Sequence, residues 1–447
     1  MSDNAPIEPM RSKLKMPGGI PFIIGNEAAE RFSYYGMRAI LVIFMTQYLR
    51  NAAGDLEVMS DAESRGWYHT FSSAVYFFPL LGAILSDGFL GKYKTVLFLS
   101  IVYCLGHLAL AVDDTRLGLG IGLGLIALGS GGIKPCVAAN LGDQFGEGDQ
   151  PLLSKAFGWF YFAVNLGAFV STIVTPLLLV KIGPHWAFGV PGLLMLLATV
   201  LFWVGRKRYI HVPPGGASFF KEALSGEGLK AIGRLAFLYC FFAVFWSIYD
   251  QNGSAWVLQA THMDRNFLGI EWLPSQIQVL NPILVMVYVP LFSYVLYPAV
   301  SKVFPLTANR KIGIGFFLTV PCVLVIAWVE QRIQAGESPN VGWHVIAFMI
   351  LIAAEVMVYQ TGLEISYTQA PNKMKSLIMS LFNLSISLGN GFTAGVNFFI
   401  QKEDGSTILG PVQYHLFFAG LMFVTAVLFI FASRFFSGKT YLQEASG

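Results

Sequence analysis

Stretches of about twenty mostly apolar residues recur along the whole chain, and they constrain its fold more than any motif does. Some twenty helical residues cross the hydrocarbon core of a bilayer, where each backbone N–H and C=O must be satisfied within its own segment. Breaks at glycine, proline and charge clusters place spanning helices near 19–50, 65–88, 93–112, 117–141, 155–181 and 185–205. They resume near 231–260, 275–300, 311–330, 342–370, 373–400 and 411–437. Between the two sets, residues 206–230 are too polar and too few to hide another pair of spans. The predicted organisation is therefore a tail (1–18), a six-helix bundle (19–205), a linker (206–230), a second bundle (231–437) and a final tail (438–447). Composition agrees: 12% of the residues are charged, against about 25% in soluble domains. The expected fold class is an all-α, polytopic membrane protein with twelve spanning helices.

Orientation follows from lysine and arginine, which concentrate on the cytosolic side of membrane proteins. With the N-terminus inside, the inner segments hold 19 basic residues and the outer loops 7, while Arg31, Arg38 and Lys134 fall within spans. Both termini are thus expected in the cytosol, and "MSDNAPIEPMRSKLKMPGG" reads as a cytosolic tail rather than a signal peptide. Two sets of six around a basic central loop are the layout of the major facilitator architecture. The stretch "GAILSDGFLGKYKT" after the second span resembles that superfamily's cytosolic loop motif. Its glycines allow close helix contact, and Asp87 suits a helix end.

The four cysteines lie singly in apolar stretches, so neither a disulfide nor a metal site is expected. The sequence shows no nucleophile–base set and no cofactor motif, which argues against a membrane enzyme; no cofactor is expected.

The first span carries the chemistry. In "GNEAAERFSYYGMRAILVIF" (25–44), Glu27, Glu30, Arg31, Tyr34 and Arg38 fall within about a 100° arc of a helix. Each charge costs roughly 2.5–3.5 kcal/mol at mid-membrane on insertion scales. Such a stripe must face protein or a water-filled cavity. Other spans offer partners: His69, Tyr76 and Asp87 in the second, Lys134 in the fourth, and Tyr161 and Asn165 in the fifth. The second half adds Trp246, Asp250 and Gln251, then Asn281, then Glu355. Cations from the first half suit a carboxylate, and Glu355 with Asn165 and Asn281 suits an ammonium. Protonating Glu27 or Glu30 would free Arg31. The residue types alone reach a proton-linked carrier of a small zwitterion.

Those residues also carry a family resemblance. "EAAERFSYYG" resembles the ExxER motif of the proton-coupled oligopeptide transporters, and "GSGGIKPCVAANLGDQF", "FYFAVNLGAF", "QVLNPILV" and "EVMVYQTGLEISYTQAP" resemble further stretches of that family. The resemblance implies symport of di- and tripeptides with protons, by alternating access, in a plasma membrane (the inner membrane, in a bacterium), by a monomer. It implies that Glu27, Glu30, Arg31, His69 and Glu355 couple protons. Peptide would be held by Arg31, Tyr35, Arg38, Tyr76, Lys134, Asn165, Asn281 and Glu355, and Arg38 with Asp250 would form an outer gate. The rival within this fold is a carrier of another small anion such as nitrate, beside which Glu355 would sit awkwardly. Departures from the family pattern are Phe382 in place of a common tryptophan, Tyr249-Asp250 in place of an acidic pair, and a plain loop after the ninth span.

Two further expectations concern isolated groups. Glu364, nine residues past Glu355, falls about 180° around an unbroken helix and suits a gate or an interhelical pair rather than the same site. His107, His185, His211, His262 and His344 read as polar residues at span ends.

Overall fold

The computed structural model describes residues 15–146, 149–214, 216, 226–368, 375–402 and 406–435. Most of both expected tails and residues 215 and 217–225 of the linker lie outside the described residues, as do Arg11, Lys13, Lys221, Lys373 and Lys439 from the charge count.

Among the described residues the chain forms twelve long helical elements. In the first half these are α1 (Ile20–Gln47), α2 (Asp61–Leu85, continued by a π turn Ser86–Leu90), α3 (Lys92–Val112), α4 (Arg116–Gly142), α5 (Gln150–Lys181) and α6 (Pro184–Val204). The second half holds α7 (Gly226–Tyr249, a 3-10 turn Asp250–Gly253, then Ala255–Ala260) and α8 (Leu280–Leu291, then a π turn Phe292–Leu296 and Tyr297–Ser301). There follow α9 (Ala308–Gln334), α10 (Gly342–Glu355, a π turn Val356–Gln360, then Thr361–Thr368), α11 (Lys375–Ile400) and α12 (Pro411–Ala432). Ten of the twelve are long and apolar enough to cross a membrane. The other two, α1 and α11, carry polar groups that meet in the seam described below.

The local sequence explains most helix ends. α2 starts four residues before its expected position because the Ser60 side chain accepts from the Glu63 amide, capping an orphan N–H. α4 starts behind Thr115, which does the same for Gly118. α7 was expected unbroken, yet it opens at Asp250–Ser254. There Gly253 presses against the Tyr68 hydroxyl of α2, with no room for a β-carbon. Between α7 and α8 a two-strand hairpin, Asn266–Phe267 with Ile270–Glu271, turns at Leu268–Gly269, both at positive φ.

Two large hydrophobic cores form among the described residues, one almost wholly from residues 20–209 and the other from residues 235–429, with a small third cluster at Phe292, Val356 and Met357. Within the first, glycines bring backbones into contact. A β-carbon on Gly82 of α2 would stand 2.5 Å from the Cα of Gly132 in α4. Glycine on both sides is what permits that approach.

The halves meet along one seam. Polar contacts crossing it are Arg38 with Asp250, Arg65 with Asn397, His69 with Asn390 and Ser254, Ser73 with Ser387, Gln276 with the Ile173 carbonyl, Gln278 with the Ala39 carbonyl, and Gln401 with Ser60. All lie between the middle of the bundle and the end that carries residues 48–60 and 261–273, here termed the far end. The opposite end carries Lys92, Lys94, Arg206, Lys207, Arg208, Lys302, Arg310 and Lys311 and is termed the basic end. The described polar contacts between the halves thus lie on the far side of the bundle.

Candidate functional site

Between the halves lies a cavity of about 390 Å³, roofed on the far side by the seam. α1 contributes Tyr35 and Arg38, α2 Tyr76, α5 Asn165, α8 Asn281 and α10 Glu355. Six of the eight expected peptide-binding residues therefore share one cavity. The other two do not reach its wall. Arg31 is held by Glu27 at 2.6 Å and by Glu30 at 3.3 Å, with only 13% of its side chain exposed. The Lys134 ammonium sits over the Tyr34 ring at 3.9 Å and the Tyr76 ring at 4.9 Å. Lys134 thus sits against tyrosine rings, and Arg31 against two carboxylates.

On the opposite wall Glu355 stands at the last α turn before the Val356–Gln360 π turn. Its Oε2 is buried and has no hydrogen-bond partner. Tyr249, whose hydroxyl accepts from Asn281 Nδ2 at 2.6 Å, lines the cavity with it. A buried carboxylate oxygen is costly without a partner. Its chemical complement is a cation or an N–H donor that enters the cavity. Tyr161, Trp246, Tyr249 and Tyr359 supply an aromatic lining. Tyr359 and Gln360 come from the π turn, whose extra backbone residue shifts the face of α10 presented to the cavity.

The seam above the cavity is a continuous hydrogen-bonded chain. Arg38 pairs with Asp250 Oδ1, and Asn390 Nδ2 donates to Asp250 Oδ2 at 2.6 Å and to the Ile386 carbonyl. Asn390 Oδ1 then meets His69 Nδ1 at 2.7 Å, and His69 Nε2 meets the Ser254 hydroxyl at 2.9 Å. A carboxylate only accepts, so the amide orientation is fixed: nitrogen toward Asp250, oxygen toward His69. His69 consequently carries its proton on Nδ1. Four helices, α1, α2, α7 and α11, are tied by five side chains.

Local sequence did not mark Asn390, Ser254 or Tyr359 for these positions. The signal was the heptad spacing of Asn383, Asn390 and Asn397 along α11, which sets an amide stripe on one helix face. Some expectations need correction. Asp87 lies at the basic-end π turn of α2, the kind of helix end it was expected to suit, and not beside His69 and Tyr76. The 180° separation of Glu364 from Glu355 presumed an unbroken helix, and the π turn between them removes that premise. Glu364 borders a separate cavity near the basic end with Tyr297 and Lys311, and makes no ion pair among the described residues. His344, in the first turn of α10, and His107, in the last two turns of α3, are fully buried, bonded to Gln259 at 2.8 Å and to Ser33 at 2.7 Å. Phe382 does not line the cavity; it packs behind Tyr359 and against Tyr239 and Phe242.

The comparisons with known proteins point one way. The model of the POT family matches residues 93–225 and 218–410. Human solute carrier family 15 member 2 is 37% identical over 414 residues, covering 81% of this chain and 55% of the relative. Peptide transporter family 1 of Drosophila melanogaster is also 37% identical, over 71% of this chain and 48% of its own length. The chain thus spans about half the length of these two relatives. Among solved structures, an auto-inhibited POT family peptide transporter superposes with a TM-score of 0.85 at 32% identity, covering 96% of this chain and 99% of the other. The POT family transporter PepTSo gives 0.84 at 34% identity, over 94% and 98%.

Proposed function

The chain belongs to the POT family, and from that footing we propose that it is a proton-driven symporter of di- and tripeptides. It works as a carrier rather than an enzyme, as a monomer in the plasma membrane, with protons as the coupling ion and no cofactor. The basic end is assigned to the cytosol by the excess of lysine and arginine. The described arrangement is then the state open to the cytosol and closed outside.

The observation that carries this reading is the orphaned Oε2 of Glu355, a residue that lines the cavity between the halves. A peptide ammonium satisfies it, with Asn165, Asn281 and Tyr249 close by. A bare anion such as nitrate leaves it unpaired. Arg31 and Lys134 are the carboxylate partners held in reserve, and protonation of Glu27 or Glu30 releases Arg31 toward the cavity. Tyr35 and Tyr76 border the path between store and cavity, and His69 is a second proton site because it joins the outer gate formed by Arg38 and Asp250. Coupling is electrostatic: a proton weakens one ion pair and frees a cation for substrate.

The test is uptake of labelled dialanine into proteoliposomes with and without an inward proton gradient. Accumulation that needs the gradient and is competed by tripeptides, but not by alanine or nitrate, is expected. Glu27→Gln and Glu30→Gln should lose gradient-driven accumulation while retaining peptide exchange. Absence of peptide flux in folded protein would refute the reading.

A further inference from the structure

A second cavity, of about 400 Å³, lies at the basic end, wholly within the first half and the start of the linker. Its walls are the first turn of α3, the last turns of α4 and residues 210–214. It shares no residue with the central cavity.

Its unsatisfied polar groups are nearly all donors. α3 begins behind Gly91, at φ 78°, with no side-chain cap. The first-turn amides of Lys92, Tyr93 and Lys94 find no acceptor among the described residues, and all three residues line the cavity. Uncapped amides at a helix start are a standing anion site. Asn140 also lines the cavity; it is 2% exposed, and its Nδ2 has no partner. The Asn140 carbonyl oxygen is approached by Gln144 Nε2 at 3.5 Å, which leaves the amide nitrogen as the open side. Lys94 makes no ion pair among the described residues. The acid in the wall, Asp143, is already matched by Lys92 at 2.6 Å.

The linker completes the enclosure. Gln144 clasps the Ile210 backbone from both sides, accepting from its amide at 2.9 Å and donating to its carbonyl at 3.4 Å. His211 rests edge-on against Tyr93, with ring centroids 5.0 Å apart. Arg206, Lys207 and Arg208 form the turn just before, adding positive charge at the same level of the bundle.

We propose that this cavity binds a phosphate group, held by the α3 first-turn amides, Asn140 Nδ2 and the Lys94 ammonium. Such a group comes from a phospholipid headgroup of the adjacent leaflet or from free phosphate. Bound there, it bridges α3, α4 and the linker, and fastens residues 210–214 to the first bundle.

The experiment uses the full chain in detergent, delipidated and then titrated separately with dioleoylphosphatidylglycerol and with inorganic phosphate. The phosphate arm is run against sodium chloride at matched ionic strength. Native mass spectrometry reads lipid adducts and thermal unfolding reads both arms. Wild-type protein should retain the ligand, and Lys94→Glu, an exposed substitution, should weaken it by about tenfold or more. Asn140→Leu should do the same without a change of charge. Stabilisation by phosphate but not lipid assigns a free anion, and the reverse assigns a headgroup. Failure of both ligands, or equal retention in wild type and Lys94→Glu, overturns the proposal.

Discussion

Replacing Asp250 with asparagine strips Arg38 of its counter-charge while leaving an oxygen that still accepts from Asn390. The perturbation therefore isolates one ion pair within the seam. Arg38 is 12% exposed and Asp250 3%, so the pair is nearly dry. Removing one partner of a buried pair costs about 3–5 kcal/mol. The residual exposure of Arg38 argues for the low end, about 3 kcal/mol, which is a factor of roughly 100 in an equilibrium. That cost falls only on the state closed at the far end, because opening hydrates Arg38. A protein resting near 99:1 in favour of closure should move close to balance. Spin labels at the exposed far-end residues Ala53 and Ser338, one on each half, report the change as a second, longer distance of comparable population. A single unchanged distance in a folded variant would refute the argument that this pair holds the far end shut.

Other expectations follow from single contacts. Glu355→Gln should weaken dipeptide binding by about 10- to 100-fold, the worth of a charge-assisted hydrogen bond, and should weaken an N-acetylated peptide much less; calorimetric titration of both ligands checks it. Gly82→Ala places a methyl group 2.5 Å from the Gly132 Cα and should cost at least about 1–3 kcal/mol. Gly120→Ala, where nothing lies within 4 Å, should leave the unfolding midpoint unchanged. At the far-end loop, the Asn266 amide and the Asn340 side chain hold the exposed Asp264 carboxyl below its ordinary value of 3.8. Its contribution is therefore complete above that value and is lost as pH falls through the lowered one. Hydrogen exchange at Val341, whose amide bonds the Asp264 carbonyl, should accelerate over that acidic range and not between pH 5 and 8.

Helix positions were legible wherever hydropathy and a boundary residue coincide, as for α3, α4 and α6, whose observed ends lie within a residue of expectation. Legibility failed where tertiary contacts decide. The opening of α7 depends on Tyr68 arriving from α2, and the π turn after Glu355 leaves no mark in an apolar sequence. The charged stripe of α1 was readable because 3.6-residue periodicity places Glu27, Glu30 and Arg31 together. Whether those side chains face the cavity or one another was not, since that depends on depth and rotamer. Asn390 is the clearest case. An asparagine in a serine-rich span has no evident task until α2 and α7 are packed on either side of it.

The amide of Asn390 gives the far-end closure a polarity. Because its oxygen faces His69, Nδ1 already holds a proton, and a second can arrive only on Nε2, beside Ser254. A hydroxyl changes from donor to acceptor by turning about one bond, so charging the imidazole breaks no link. The closure becomes crowded instead of severed: two cations, His69 and Arg38, compete for the single carboxylate of Asp250. On the proposed role of His69 as a proton site, a proton loaded there would be held as repulsion across intact bonds until the halves separate and water enters.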